Sequence, residues 1–275
     1  MFFRCGKFSL SLSRPLIMGI VNVTPDSFSD GGKLVSTPAA INHAKQLVEE
    51  GADILDIGGE STRPGAEPVN LDEELQRVLP VLEGLKGVNV PVSVDTYKPE
   101  VMRAAISAGA SMINDVNALL APGAMESVAA SDTAVCLMHK QGEPKTMQQN
   151  PQYEDVLTEV ADFLKARVAA AEAAGVARER ICIDPGIGFG KNLEHNLALL
   201  KNISRLKSIG VPVLIGVSRK SLLGKILGLE VYDRVQVSVV AAILAVSQGA
   251  AIVRVHDVKA TKDALAVYRA VNSEQ

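Results

Sequence analysis

The 275-residue sequence has no tryptophan, and only six Phe and four Tyr supply its aromatic rings. Its formal net charge is −3, so it offers neither a basic stripe nor a stacking platform, which argues against nucleic acid as a partner. Cysteine is equally scarce. Cys5, Cys136 and Cys182 are too few and too scattered for a disulfide framework, and Cys136 and Cys182 sit inside apolar runs as buried free thiols of a reducing compartment would. No Cys/His grouping has zinc-ligand spacing. The chain opens without a charged-then-apolar leader, and no apolar run approaches the roughly 20 residues that span a bilayer. The expectation is a cytoplasmic chain without membrane contact.

Apolar residues, by contrast, make up 47% of the sequence, enough for a large core without staples. They follow one rhythm. Eight short apolar runs, at residues 16–21, 54–58, 91–95, 111–114, 134–138, 181–184, 213–217 and 252–255, alternate with longer stretches of helical period. Consecutive rather than alternating apolar residues suit strands covered on both faces, as in a parallel sheet. The intervening stretches carry helix stripes. Examples are Ile41, Ala44, Leu47 and Val48 ending at Gly51, then Leu71, Leu75, Val78 and Leu82, and Val235, Val239, Ile243 and Val246. Eight such units in a chain of this length predict an α/β fold of the (β/α)8, or TIM barrel, kind. Residues 1–275 show no linker or composition shift and read as one domain. A hairpin around Cys5-Gly6-Lys7 is expected to close the amino-terminal end of the barrel.

Barrel chemistry sits at the carboxyl ends of the strands. Here those ends carry Asn22, Glu60 to Arg63, Asp95, Asn114-Asp115, His139, Asp184, Ser218 to Lys220, and Arg254 with His256 and Asp257. A single Asp or Ser after a strand is more often a helix cap than a catalyst, but Arg and Lys do not cap helix N-termini. The eight together therefore point to a site. Asp95, Asn114, Asp184 and Lys220 suit a planar heterocycle with ring N–H, amino and carbonyl groups. Arg63, Arg254 and His256, with no obvious carboxylate of their own, suit a phosphate or diphosphate. Other patterns fail. Residues 186–191 lack phosphate-loop spacing, and Asn192 stands where Ser or Thr is required. Residues 216–220 place Lys220 where a nucleophile elbow needs Gly. His43 and His195 fall on helices as packing residues, and His139 fits a structural role at least as well as a catalytic one.

Carried further, the motifs at residues 18–32, 58–65, 93–96, 113–116, 184–191, 218–221 and 254–258 resemble the dihydropteroate synthases of folate biosynthesis along essentially the whole chain. The resemblance implies a transferase that joins para-aminobenzoate to 6-hydroxymethyl-7,8-dihydropterin pyrophosphate, releasing 7,8-dihydropteroate and pyrophosphate. It implies that Asp95, Asn114, Val116, Met138, Asp184, Phe189, Gly216 and Lys220 hold the pterin. Asn22, Arg63, Arg254 and His256 would hold the pyrophosphate, with Asn22 also reaching Mg²⁺. Thr62, Pro64, Phe189, Lys220 and Ser221 would border para-aminobenzoate, and Arg63, Lys220, Arg254 and His256 would serve catalysis. Sulfonamide sensitivity and a homodimer follow by likeness, with the helix at residues 235–246 as a candidate dimer surface. Lys140 and Asn117 depart from the pattern only at positions beside the motifs. The loops at residues 23–36 and 61–69 are expected to close over substrate. Two other readings share the barrel: a pterin-dependent methyltransferase, which has little use for the cationic set, and a non-catalytic pterin-binding module. A third is a sugar-phosphate aldolase with Lys220 as Schiff base.

Overall fold

The structure is a computed structural model that describes residues 1–24, 36–61, 65–143 and 145–272. Strands β1 (Phe2–Cys5) and β2 (Phe8–Ser11) form an antiparallel hairpin. Eight parallel strands follow: β3 (Leu16–Asn22), β4 (Ile54–Gly58), β5 (Val92–Asp95), β6 (Met112–Asp115), β7 (Ala134–Met138), β8 (Ile181–Asp184), β9 (Leu214–Ile215) and β10 (Ile252–Val255). They are hydrogen-bonded in the order β8-β7-β6-β5-β4-β3-β10-β9. A single bridge, Ile183 to Val213, joins the two edges into a nearly closed barrel.

Helices cross over between the strands: α1 (Thr37–Glu50), α2 (Leu71–Gly84), α3 (Pro99–Ser107), α4 (Ala124–Ala129), α5 (Val156–Ala173), α6 (Leu193–Lys201), α7 (Ile203–Leu206), α8 (Ser221–Leu227), α9 (Val235–Ser247) and α10 (Val258–Asn272). Their ends follow local chemistry. Ser36 Oγ caps α1 by accepting from Ala39 N–H, and Gly51, at φ 104°, ends it in a left-handed turn that a β-carbon disfavours. Asn70 caps α2 in the same way, through Glu73 N–H at 2.9 Å.

Two apolar layers result. The larger lies between strands and helices, where Val21, Leu55, Ile57, Val94, Ile113, Val135 and Ile183 meet the helix stripes. The smaller fills the barrel: Leu16, Met18, Ile54, Met112, Ala134, Cys136, Cys182, Leu214 and Ile252, closed from below by Phe3 and Cys5. Along β1 exposed and buried positions alternate, so Phe3 and Cys5 share the face turned into the barrel. The expected hairpin plug is thus present, and all three cysteines are free and buried.

Two sequence expectations need correction. The seventh barrel strand is two residues long rather than the five of 213–217, because Pro212 has no N–H for the ladder and the chain leaves the sheet at Gly216 toward Arg219, at φ 57°. Asp115 ends the fourth barrel strand but is not turned into the site. Its carboxylate accepts from the N–H groups of Asn117 and Leu119, both at 2.7 Å, and holds the turn in which Ala118 and Leu119 take φ 51° and 57°.

Candidate active site

Alternation along each strand determines which residues see the barrel axis. The inward set runs Met18, Ile20, Asn22 on β3, Ile54, Asp56 on β4, and Met112, Asn114 on β6 leading to Val116. It continues with Cys136, Met138 on β7, Cys182, Asp184 on β8, and Ile252, Arg254 on β10 leading to His256. In these strands, β7 with its Met138 excepted, the apolar member lies deep and a polar one near the carboxyl end. There they surround a cavity of about 390 Å³ lined by Asn22, Asp95, Asn114, Val116, Met138, Asp184, Phe189, Gly216, Lys220, Ser221, Arg254 and His256, among others. Thr62, Arg63 and Pro64, and residues 25–35 of the first loop, lie outside the described residues. Ser61, immediately before them, lines the cavity.

Arg254 is not the uncommitted cation that the sequence suggested. Its Nε donates to Asp56 Oδ2 at 2.6 Å and its Nη2 to Asp95 Oδ2 at 3.0 Å. Burial works against the guanidinium charge, but Asp56 and Asp95 outweigh it and raise the pKa above the ordinary value. Asp56 also accepts from Asn114 Nδ2 at 3.0 Å. Asp95 pays for its position: burial pushes it up to about 7, against the pull of Arg254. Asp184 is likewise raised by burial, which Lys220 and the Gly186 N–H, donating at 2.7 Å, oppose. Acids and cations are therefore interleaved around one cavity rather than divided between its ends.

Lys220 crosses the mouth of this group. Its ammonium donates to Ile187 O and lies 4.7 Å from the Phe189 ring centroid. Burial lowers it to about 8, although Asp184 favours its charge. His256 rests on Ser218, with Nδ1 and Oγ 3.0 Å apart. Beside Lys220, Arg219 forks onto Asp257 at 3.0 and 2.5 Å and so belongs to the frame of the site.

The glycine-rich stretch 186–190 does something other than bind phosphate. A β-carbon on Gly186 would stand 1.8 Å from His139 O and one on Gly190 2.2 Å from Gln141 O, with φ at 69° and 61°. The β7 and β8 loops are thereby pressed together, and buried Lys191 pins them by meeting His139 Nδ1 at 3.0 Å and Phe189 O at 3.0 Å. Burial and the neighbouring Lys191 charge hold His139 down to about 3, so it is a neutral acceptor, the structural reading of the two. His195 is a capping partner of Asn192 on α6.

Asp56 carried too little sequence signal to be picked out, and Glu60 too little to reveal its partners. Asp56 betrays itself only as one acid inside the apolar run 54–58. Glu60 was noted, but not its partners: Lys98 Nζ joins it to buried Glu74, at 2.5 Å from the latter, and Tyr97 O–H donates to it at 2.9 Å. This cluster anchors the stem of the second loop at Ser61.

With this geometry in view, residues 18–256 match the family model described as pterin binding enzyme. Dihydropteroate synthase of Escherichia coli K12 is 50% identical over 96% of this chain and 94% of its own length, and that of Neisseria meningitidis serogroup B is 54% identical over 98% and 97%. The chain belongs to the pterin-binding enzymes, and within them to the dihydropteroate synthases. Solved members superpose closely. Yersinia pestis dihydropteroate synthase in a sulfonamide drug complex has TM-score 0.95 at 47% identity over all of both chains. The Xanthomonas albilineans enzyme with 4-aminobenzoic acid has TM-score 0.93 at 52% identity over 100% and 99%. The Burkholderia cenocepacia enzyme with 7,8-dihydropteroate has 0.90 at 52% over 98% and 96%. Among the described residues no helix is long and apolar enough to cross a membrane.

Proposed function

We infer that this dihydropteroate synthase condenses 6-hydroxymethyl-7,8-dihydropterin pyrophosphate with para-aminobenzoate at the carboxyl end of the barrel, as one domain spanning the chain. The observation that carries the reading is a single cavity in which buried Asp95, Asn114 and Asp184 face the same space as Lys220, Arg254 and His256. The deep carboxylates and Asn114 accept from the N–H groups of the pterin, Lys220 donates to its ring, and Val116, Met138 and Phe189 pack on its faces. Arg254 and His256, joined by Arg63 and Asn22, receive the diphosphate. Phe189, Lys220 and Ser221, with Thr62 and Pro64, border the aryl amine.

Cleavage of the methylene–oxygen bond sends the electron pair to the diphosphate and leaves positive charge on the pterin methylene. Fixed cations and carboxylates interleaved around the cavity stabilise both products of that separation without reorganising. The amine nitrogen then forms the new C–N bond and loses its proton, with no covalent attachment to the protein. A cation-like step requires a normal α-secondary deuterium isotope effect at the methylene.

Among the described residues no three His, Cys, Asp or Glu side chains gather to hold a metal ion. Asn22 is a single oxygen donor on the cavity wall, which fits Mg²⁺ that arrives on the diphosphate and keeps phosphate and water oxygens as its other ligands. When bound, the ion supplies charge neutralisation for the leaving group.

Affinity for para-aminobenzoate should rise when pyrophosphate is present. Sulfonamides, as para-aminobenzoate mimics, compete for the same site. Val240 and Leu244 on α9 and Val267 and Val271 on α10 are exposed apolar side chains on adjacent helices, and they support a homodimer through this face. The deciding experiment measures pyrophosphate release on mixing both substrates. The wild type should release it only with both present, and Lys220→Ala should lower kcat/KM on the order of a hundredfold. Pyrophosphate-independent chemistry, such as methyl transfer, would overturn the reading.

A further inference from the structure

Asp56 lies on β4, fully buried beneath the cavity wall. Its Oδ2 accepts from Asn114 Nδ2 at 3.0 Å and from Arg254 Nε at 2.6 Å, and its Oδ1 has no hydrogen-bond partner among the described residues. A carboxylate has no proton to give, so only the NH₂ end of Asn114 can face it. The amide oxygen is therefore turned the other way, toward the cavity that Asn114 lines. Without that constraint a terminal amide rotates about a broad, roughly two-fold torsion, and its two ends have nearly the same shape.

Asp95 and Asp184 face the same cavity, and they too only accept when ionised. We infer that Asp56 is a positioning residue that sets ring specificity: by locking the Asn114 amide oxygen inward, it commits the deep wall to acceptors. That wall admits a heterocycle edge made of N–H donors and refuses one that carries a carbonyl. The inference rests on the proposed pterin site and deepens it, because it states which ring that site selects, a 2-amino pterin over its 2-oxo counterpart. Asp56 is itself held in place. Arg254 Nε can only donate, so an oxygen at position 56 must point toward it, and that same oxygen receives Asn114.

The test is equilibrium binding of 6-hydroxymethylpterin and of 6-hydroxymethyllumazine, its 2-oxo counterpart, to the full chain. Wild type, Asp56→Ala and Asp56→Asn are compared, with thermal melting as the control for folding. The wild type should prefer the 2-amino ring on the order of a hundredfold, the cost of burying a carbonyl against an acceptor. Asp56→Ala frees the amide to turn its NH₂ inward, and the preference should shrink below about tenfold, mostly through tighter binding of the 2-oxo ring. Asp56→Asn should keep the preference, because its amide oxygen still serves Arg254 and Asn114.

Unchanged discrimination in Asp56→Ala overturns the inference, and so does equal loss in both variants, which would trace the effect to charge rather than to an acceptor. A wild type that binds both rings alike overturns it while leaving the pterin site standing. A wild type that binds neither removes the pterin reading and the inference together. If Asp56→Ala does not fold, Asp56→Ser, whose hydroxyl stops short of Asn114, takes its place with the same expected loss.

Discussion

Met18, Ile54, Met112, Cys136, Cys182 and Ile252 fill the lower barrel, and one step of two residues further along each of these strands the inward positions become Ile20, Asp56, Asn114, Met138, Asp184 and Arg254. The backbone is the same parallel ladder at both levels, yet the lower level is dry and sealed by Phe3, while the upper holds ionised groups around a cavity. Burial has opposite meanings at the two ends. Below, removing apolar surface from water favours folding. Above, desolvation opposes every charge, which is why Asp95 is pushed up and Lys220 down. The lower barrel stabilises the fold, whereas the upper barrel spends some of that stability on a preorganised site.

The contrast can be broken most severely at Arg254. Arg254→Met leaves Asp56 and Asp95 buried without their cation, and should cost about 3–5 kcal/mol in urea unfolding at pH 7 as well as activity. Since neutral carboxyls tolerate burial, the deficit should shrink at pH 5; an equal deficit at both values would mean that charge is not the cause. Phe3→Ala attacks the other end. It should cost a similar ~3–5 kcal/mol by cavity formation but leave kcat and both KM values of the folded enzyme within about twofold, since nothing at the cavity moves.

The pH profile sharpens the comparison at the upper level. Asp95, raised from an ordinary 3.8 to about 7, becomes an acceptor-only carboxylate above that value, and Lys220, lowered from 10.5 to about 8, loses its proton above that one. The kcat/KM for the pterin substrate should therefore be bell-shaped, falling below pH 7 and above pH 8. A plateau from pH 6 to 9 would contradict it. The stability contributions have their own signs. Between 3.8 and 7 the folded Asp95 keeps a proton the unfolded chain has released, so its contribution to stability falls as pH rises; between 8 and 10.5 Lys220 does the reverse. The smallest effect concerns the outside of the barrel: Leu244→Asp on α9 should change monomer stability by no more than ~0.5 kcal/mol, yet give a monomer in sedimentation if that face pairs two chains.

The sequence made the eight strands legible because each is a short apolar run next to a helical stripe, and it placed Asp95, Asn114, Asp184, Lys220, Arg254 and His256 at strand ends, where all line one cavity. It failed at Asp56 for a physical reason. A mid-strand acid in an apolar run gives no hint of its partners, which come from β6 and β10, 58 and 198 residues away. The shortened β9 escaped in the same way, since five apolar residues say nothing of whether a neighbouring strand has carbonyls in register.

Composition and period thus determined the fold class by themselves, because hydrophobic spacing and turn chemistry are local properties of the chain; the family was legible only through the resemblance carried by the motif residues. Tertiary structure alone decided that Arg254 is shared between two carboxylates, that the Asn114 amide donates to Asp56, and that the glycine stretch clamps one loop against another. Each of these is a relation between distant strands, and desolvation and hydrogen-bond polarity act only once closure of the barrel has brought them within reach.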